Sequence, residues 1–190
     1  TDRIAVVPSW LNYEPKEGEI TITLDPGCAF GTGTHQTTQL CMKAIEKYLK
    51  KGDTVADIGT GSGILSICAM KFGAKSAYGC DIDDTVIDVC KENARINGIE
   101  VGEGNPVVFE LNTADKIIQK FDFVCANILH NVLAEIMGDL KNIMKDDAKM
   151  SLSGILDEKK PVVLEAIERE GLKIIDTISQ DQWISFVVTK

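Results

Sequence analysis

Apolar residues follow two rhythms along this chain. Short apolar runs near 53–58, 75–81, 106–111, 121–126 and 148–153 alternate with longer stretches at 63–72, 84–97 and 129–145 of helical spacing. Strand and helix in turn predict an α/β domain, a mostly parallel sheet with helices on both faces. Ahead of the series, strands are expected at 4–7 and 20–24, then a helix from about 35 to 49 capped by Thr34. After a helix at 157–170, strands at 172–178 and 182–189 are separated only by Ser179-Gln180-Asp181. That link is too short for a crossover helix, so these strands should form an antiparallel hairpin closing a seven-stranded, Rossmann-like sheet. No Pro/Gly/Ser-rich linker, internal repeat or low-complexity stretch divides the chain, and a single domain is expected.

One junction in this pattern carries chemistry. Between a predicted strand and helix stands Asp57-Ile58-Gly59-Thr60-Gly61-Ser62-Gly63. Its glycines let the backbone turn tightly and lie against a ligand where a Cβ would intrude. A dinucleotide fingerprint wants G-x-G-x-x-G, and here Ile64 stands where the third glycine belongs; no G-x-x-x-x-G-K-[ST] occurs either. Pyrophosphate is therefore disfavoured as the ligand, and with it an NAD-dependent oxidoreductase. Asp81 closes the next strand-like run, 22 residues after Gly59, where a carboxylate in an adenosine-binding sheet accepts the ribose hydroxyls. The alternative for Asp81, Asp83 and Asp84 is a turn and a helix N-cap.

Composition narrows the class. At 190 residues with 44% hydrophobic content the chain can bury a substantial core, and its apolar runs are too short to span a bilayer. The opening residues lack the basic start and apolar core of a signal peptide. Six cysteines, at 28, 41, 68, 80, 90 and 125, include no C-x-x-C pair, which argues against a disulfide framework or a metal site and for a reducing cytoplasm. A net charge of −9 disfavours a phosphate-neutralising surface, and hence nucleic acid; it suits a basic partner, or serves solubility alone.

Among polar candidates, Asn127 follows the apolar run 121–126, at a strand's carboxyl end where open α/β sheets place ligands. Its amide carbonyl can accept from an amine; the alternative is an N-cap for the next helix. His35 titrates near neutrality, yet beside a glycine loop at a helix start local packing is the simpler role, and His130 reads as a helix-surface residue. Phe30 either packs on an adenine or belongs to the core. The alternating charges of 141–149 read as a solvated face with a turn.

The ordered motifs Pro8-Ser9-Trp10, the 25–38 stretch containing Phe30-Gly31-Thr32-Gly33-Thr34-His35, 57–63, Gly79-Cys80-Asp81-Ile82-Asp83, Ala126-Asn127-Ile128-Leu129, Leu152-Ser153-Gly154-Ile155-Leu156 and the closing strand with Trp183 span the chain. Together they resemble the catalytic domain of the methyltransferase family of ribosomal protein L11, class I enzymes that use S-adenosyl-L-methionine. The resemblance implies methyl transfer to lysine side-chain and N-terminal amines of that protein. It matches cofactor contacts to Thr38, Gly59, Asp81 and Asn127, with Gly61 beside them in the glycine turn, and Phe30, Gly31, Thr32 and His35 to a loop folding over the cofactor. The family normally adds an N-terminal recognition domain; residues 1–190 are expected to be catalytic domain alone, 1–34 giving strands and cofactor loop and 35–190 the doubly wound core. Rival readings are another amine acceptor, including a nucleobase, although Asn127-Ile128-Leu129-His130 replaces the Asn-Pro-Pro-Tyr expected there, and a cofactor-binding domain inactive without its recognition module.

Overall fold

A computed structural model describes residues 1, 3–25 and 33–190. Strands β1 (Ile4–Pro8) and β2 (Ile20–Leu24) pair in parallel as a separate two-stranded sheet. There follow α1 (Gln36–Tyr48), β3 (Thr54–Ile58), α2 (Ile64–Lys71), β4 (Ser76–Asp81), α3 (Asp84–Ile96), β5 (Val107–Leu111) and β6 (Phe121–Asn127). The chain continues through α4 (His130–Glu135), α5 (Met137–Asn142), β7 (Met144–Leu156), α6 (Lys160–Arg169), β8 (Lys173–Gln180) and β9 (Trp183–Thr189). The main sheet has seven strands in the order β5-β4-β3-β6-β7-β9-β8, and β9 runs antiparallel to both neighbours.

Alternating side chains of the central strands feed two cores, one on each face. Val55, Phe123 and Cys125 pack with α1, α2, α3 and the small sheet, whereas Ala56, Val124 and Ala126 pack with α4, α5 and α6. Apolar residues on both faces of one strand are what a doubly covered parallel sheet requires. From β3 the chain winds outward through β4 and β5, then returns to place β6 on the other side of β3. The carboxyl ends of β3 and β6 thus flank the switch point at which such sheets bind ligands.

Four expectations are revised. The cap of α1 is His35, whose ring nitrogen accepts from the Thr37 amide at 3.3 Å, and not Thr34. The helix expected over 129–145 is two short helices joined at Ile136, and β7 starts at Met144, paired with Phe121. Lys145, Asp146 and Asp147 are therefore strand residues with exposed side chains, and Lys145 bonds Asp122 on β6 at 2.7 Å. The C-terminal hairpin turns over Asp181 and Gln182, with Asp181 at φ 53°, so Ser179 and Gln180 extend β8. The helix expected at 157–170 begins at Lys160 after a 3-10 turn, Asp157–Lys159. Among the described residues no helix is long and apolar enough to cross a membrane, and no cluster of three or more His, Cys, Asp or Glu could hold a metal ion.

Candidate functional site

A cavity of about 770 Å³ opens across the carboxyl ends of β5, β4, β3, β6 and β7 and reaches the start of β9. Six residues singled out from the sequence line it together: His35, Thr38, Gly59, Gly61, Asp81 and Asn127. Phe30, Gly31 and Thr32 lie outside the described residues.

At the β3–β4 end the glycine turn is fastened mainly by backbone. The amides of Gly59 and Thr60 both donate to the Cys80 carbonyl at 2.9 Å, and the Gly61 amide donates to Asp81 Oδ2 at 3.0 Å. Asp81 Oδ1 accepts the Asp83 amide at 3.1 Å, while Asp83 caps α3 by accepting from Thr85 N at 2.9 Å. The three acids that sequence left open therefore divide: Asp83 takes the cap, Asp84 opens α3, and Asp81 lines the cavity with its carboxylate already oriented.

Beneath the turn, Asp57 is fully buried. Its Oδ2 accepts from the Thr60 hydroxyl at 2.8 Å, the Ser66 amide at 3.1 Å and the Ser66 hydroxyl at 2.9 Å, whereas Oδ1 has no partner among the described residues. Burial pushes its carboxyl up to about 6 despite these donors, and the nearby charge of Asp81 acts in the same direction. Buried Asn93 on α3 joins the two loops marked in the sequence. Its Nδ2 donates to the Ser62 carbonyl at 2.9 Å in the glycine turn, and its Oδ1 accepts the Asp25 amide at 2.9 Å just before the 26–32 stretch.

At the other end, Asn127 is the last residue of β6 and pairs with Ser153 of β7. Its Nδ2 donates to Thr38 Oγ1 at 3.3 Å, and its Oδ1 is buried without a partner among the described residues. It does not cap α4; that place falls to Leu129, which makes no side-chain bond. The next residue, Ile128, is gripped from both sides: a Cβ on Gly59 would fall on its side chain and one on Gly154 on its backbone carbonyl. Both glycines also hold left-handed φ, 72° and 86°, so two independent demands select glycine there. Ser153 Oγ donates to the Thr37 carbonyl at 3.0 Å and fixes the start of α1 over β7. His35 lies edge-on to Trp183, ring centroids 5.0 Å apart, with Nδ1 2.8 Å from the Thr37 hydroxyl.

Sequence reasoning missed Thr113, whose hydroxyl oxygen is buried, unpartnered among the described residues and beside the cavity just after β5. Its place after a strand adjacent to β4 was the available signal. Trp183 was noticed only as part of a motif, and Asn93 had no local signal, since its partners lie 31 and 68 residues away.

This geometry offers backbone and a carboxylate to a sugar at one end and an orphaned amide oxygen to a hydrogen-bond donor at the other. The family model described as Ribosomal protein L11 methyltransferase (PrmA) matches residues 1–190. Curated proteins named ribosomal protein L11 methyltransferase are similar: that of Anoxybacillus flavithermus is 39% identical over 191 residues, covering 100% of this chain and 60% of that protein. That of Acetivibrio thermocellus is 42% identical over 188 residues, covering 99% and 59%. The chain thus spans about 60% of the length of these relatives. A crystal structure of the ribosomal protein L11 methylase from Lactobacillus delbrueckii subsp. bulgaricus aligns with a TM-score of 0.92 at 36% identity, covering 100% of this chain and 96% of that one. Magnesium protoporphyrin IX methyltransferase from Synechocystis, solved with bound SAM, shares the fold with a TM-score of 0.63 at 18% identity over 81% of this chain and 78% of that one.

Proposed function

Since the chain belongs to the ribosomal protein L11 methyltransferase family, we propose that it is an S-adenosyl-L-methionine-dependent N-methyltransferase acting on lysine side-chain and N-terminal amines of ribosomal protein L11. Residues 1–190 serve in this reading as one catalytic domain. The observation that carries it is Asn127 Oδ1, a buried acceptor without a partner among the described residues, in the same cavity as the Gly59–Gly61 turn and Asp81.

The residues fit the cofactor on the structure's own terms. Asp81 presents a carboxylate to ribose hydroxyls; Thr113 Oγ1, after β5 and three strands from β6, offers a polar atom unpartnered among the described residues, suited to the adenine end; and Gly59 and Gly61 let backbone approach between them. When bound, S-adenosyl-L-methionine supplies a methyl group already activated by its sulfonium. What the chain must supply is a neutral, oriented amine. A lysine with a pKa of about 10.4 costs roughly 4 to 5 kcal/mol to deprotonate at neutral pH, and an apolar site lowers that cost by disfavouring the charged form. Ile58, Ile64, Leu65, Ile128 and Val132 provide such surroundings. Asn127 Oδ1 then accepts one N–H and points the nitrogen lone pair, while Thr38 holds the amide in that sense. His35 is given no role as a base, because its ring serves the α1 cap and packs on Trp183.

A cytoplasmic setting goes with this reading, the five described cysteines being buried free thiols. A net charge of −9 supports a basic protein partner and gives nucleic acid and membranes no part in it. Calorimetry with S-adenosylhomocysteine, followed by labelled methyl transfer to ribosomal protein L11, tests the proposal. Binding with transfer is expected. Absence of binding would remove the cofactor assignment, and binding without transfer would favour a methyltransferase core that needs a recognition domain or takes another acceptor.

A further inference from the structure

Resting on that reading, we propose that Trp183 is a specificity-determining residue: with His35 it forms the wall on which the alkyl stem of the acceptor amine packs. The sheet order sets the argument. Neighbouring strands stand about 4.8 Å apart, so Asp81 on β4 and Asn127 on β6, with β3 between, are separated by about 10 Å of sheet. That span belongs to the cofactor. Beyond Asn127 the cavity continues across β7 and β9 for about another 10 Å, and its lining there is Gly154 and Trp183, roofed by His35, Thr37 and Thr38 of the α1 start.

The composition of this extension defines its ligand. Gly154 lines the floor between Asn127 and the indole with backbone alone, the place of its missing Cβ being taken by the Ile128 carbonyl. Among the described lining residues the carboxylates are Asp81, Asp115 and Asp139, on β4, after β5 and on α5. Helix α5 packs on the turn that holds Asp115, so all three stand at the opposite end. An uncharged floor beneath an aromatic wall suits methylene groups and a neutral nitrogen, as in a lysyl side chain, and offers little to a compact polar acceptor.

Trp183 is also held in place. The hairpin tip is tied to α1 by Gln180 Nε2 to Gln39 Oε1 at 3.0 Å, Lys43 Nζ to Gln180 Oε1 at 3.0 Å and Gln36 Nε2 to Asp181 Oδ2 at 3.3 Å. A wall fixed by three polar ties and an edge-on ring contact is formed before the substrate arrives, so little ordering is left to the binding step.

The test uses two readouts. In Trp10→Phe, which leaves Trp183 as the sole tryptophan, fluorescence is followed with saturating S-adenosylhomocysteine while n-butylamine or methylamine is added. A saturable response to n-butylamine, at least about tenfold tighter than to methylamine, is expected. Equal responses, or none, would overturn the proposal even if ribosomal protein L11 proved not to be the substrate. In turnover, Trp183→Ala should raise KM for ribosomal protein L11 about tenfold with the S-adenosylhomocysteine Kd unchanged within about twofold, and Trp183→Phe should restore most of the loss. Parallel loss of cofactor affinity and thermal stability in both variants would make Trp183 structural and reject the proposal. Failure of wild type to bind S-adenosylhomocysteine would instead reject the underlying cofactor reading.

Discussion

The two ends of the cavity are built on different principles. At the β3–β4 end, main-chain amides of consecutive residues are bonded to the next strand, and carboxylates are locked by further amides, so the turn carrying Gly59 and Gly61 is fixed mainly by backbone. At the β6–β7–β9 end the surface is side chains brought from four separate segments, and its key acceptor is held by one 3.3 Å bond from its own amide to Thr38. A turn fixed by its own backbone suits a ligand whose shape never changes. A side-chain surface can be altered residue by residue without unfolding the turn, which suits the end that must distinguish acceptors.

The largest test of this contrast concerns the place where the two ends meet. Gly154→Ala adds a left-handed alanine and a clash with the Ile128 carbonyl, and a stability loss of about 4 kcal/mol in urea denaturation is expected. A loss below about 1 kcal/mol would mean that β7 does not grip Ile128 as described.

Next in size is the buried carboxylate under the backbone end. Asp57 titrates at about 6 when folded against 3.8 for the free group, so between those values the native state keeps a proton that the unfolded chain has released. Its contribution to stability is present below about pH 4 and is lost as pH rises through about 6, an effect of about 3 kcal/mol. Asp57→Asn cannot titrate. The stability difference between wild type and this variant should therefore move against wild type from pH 4 to pH 7, and a pH-independent difference would reject the raised value.

The sharpest contrast pairs one substitution at each end. Asn127→Ala should lower kcat about 100-fold with cofactor affinity changed by less than about threefold. Asp81→Ala should weaken S-adenosylhomocysteine binding about 30-fold in calorimetry, through loss of charged hydrogen bonds. If both variants lost affinity and turnover alike, the division of labour would be wrong.

The same division explains what could be read in advance. Alternating apolar runs announced the sheet, because burial on both faces leaves a strand little choice of residue. The break at Ile136 escaped notice because apolar spacing continues through Met137 and Leu140 into Ile143, while the early start of β7 depends on Phe121 pairing with Met144. Gly59, Gly61 and Asp81 were legible since the glycine turn imposes its own conformation locally. Asn127 was legible as a candidate and ambiguous in role, and the strand end with Leu129 at the cap position removes only the cap reading. Trp183 acquires its place by tertiary approach, which no neighbouring residue records, whereas Thr113 was marked only by its position after β5.

Asn93 gives the molecule one further property. A single buried amide bonds the Ser62 carbonyl and the Asp25 amide, so the segment leading into 26–32 and the glycine turn share a fastening on α3. Opening of the first should be felt by the second. In hydrogen exchange the Asp25 amide would then behave as a reporter of the glycine turn 34 to 38 residues downstream, slowing when S-adenosylhomocysteine is added and quickening in Asn93→Ala.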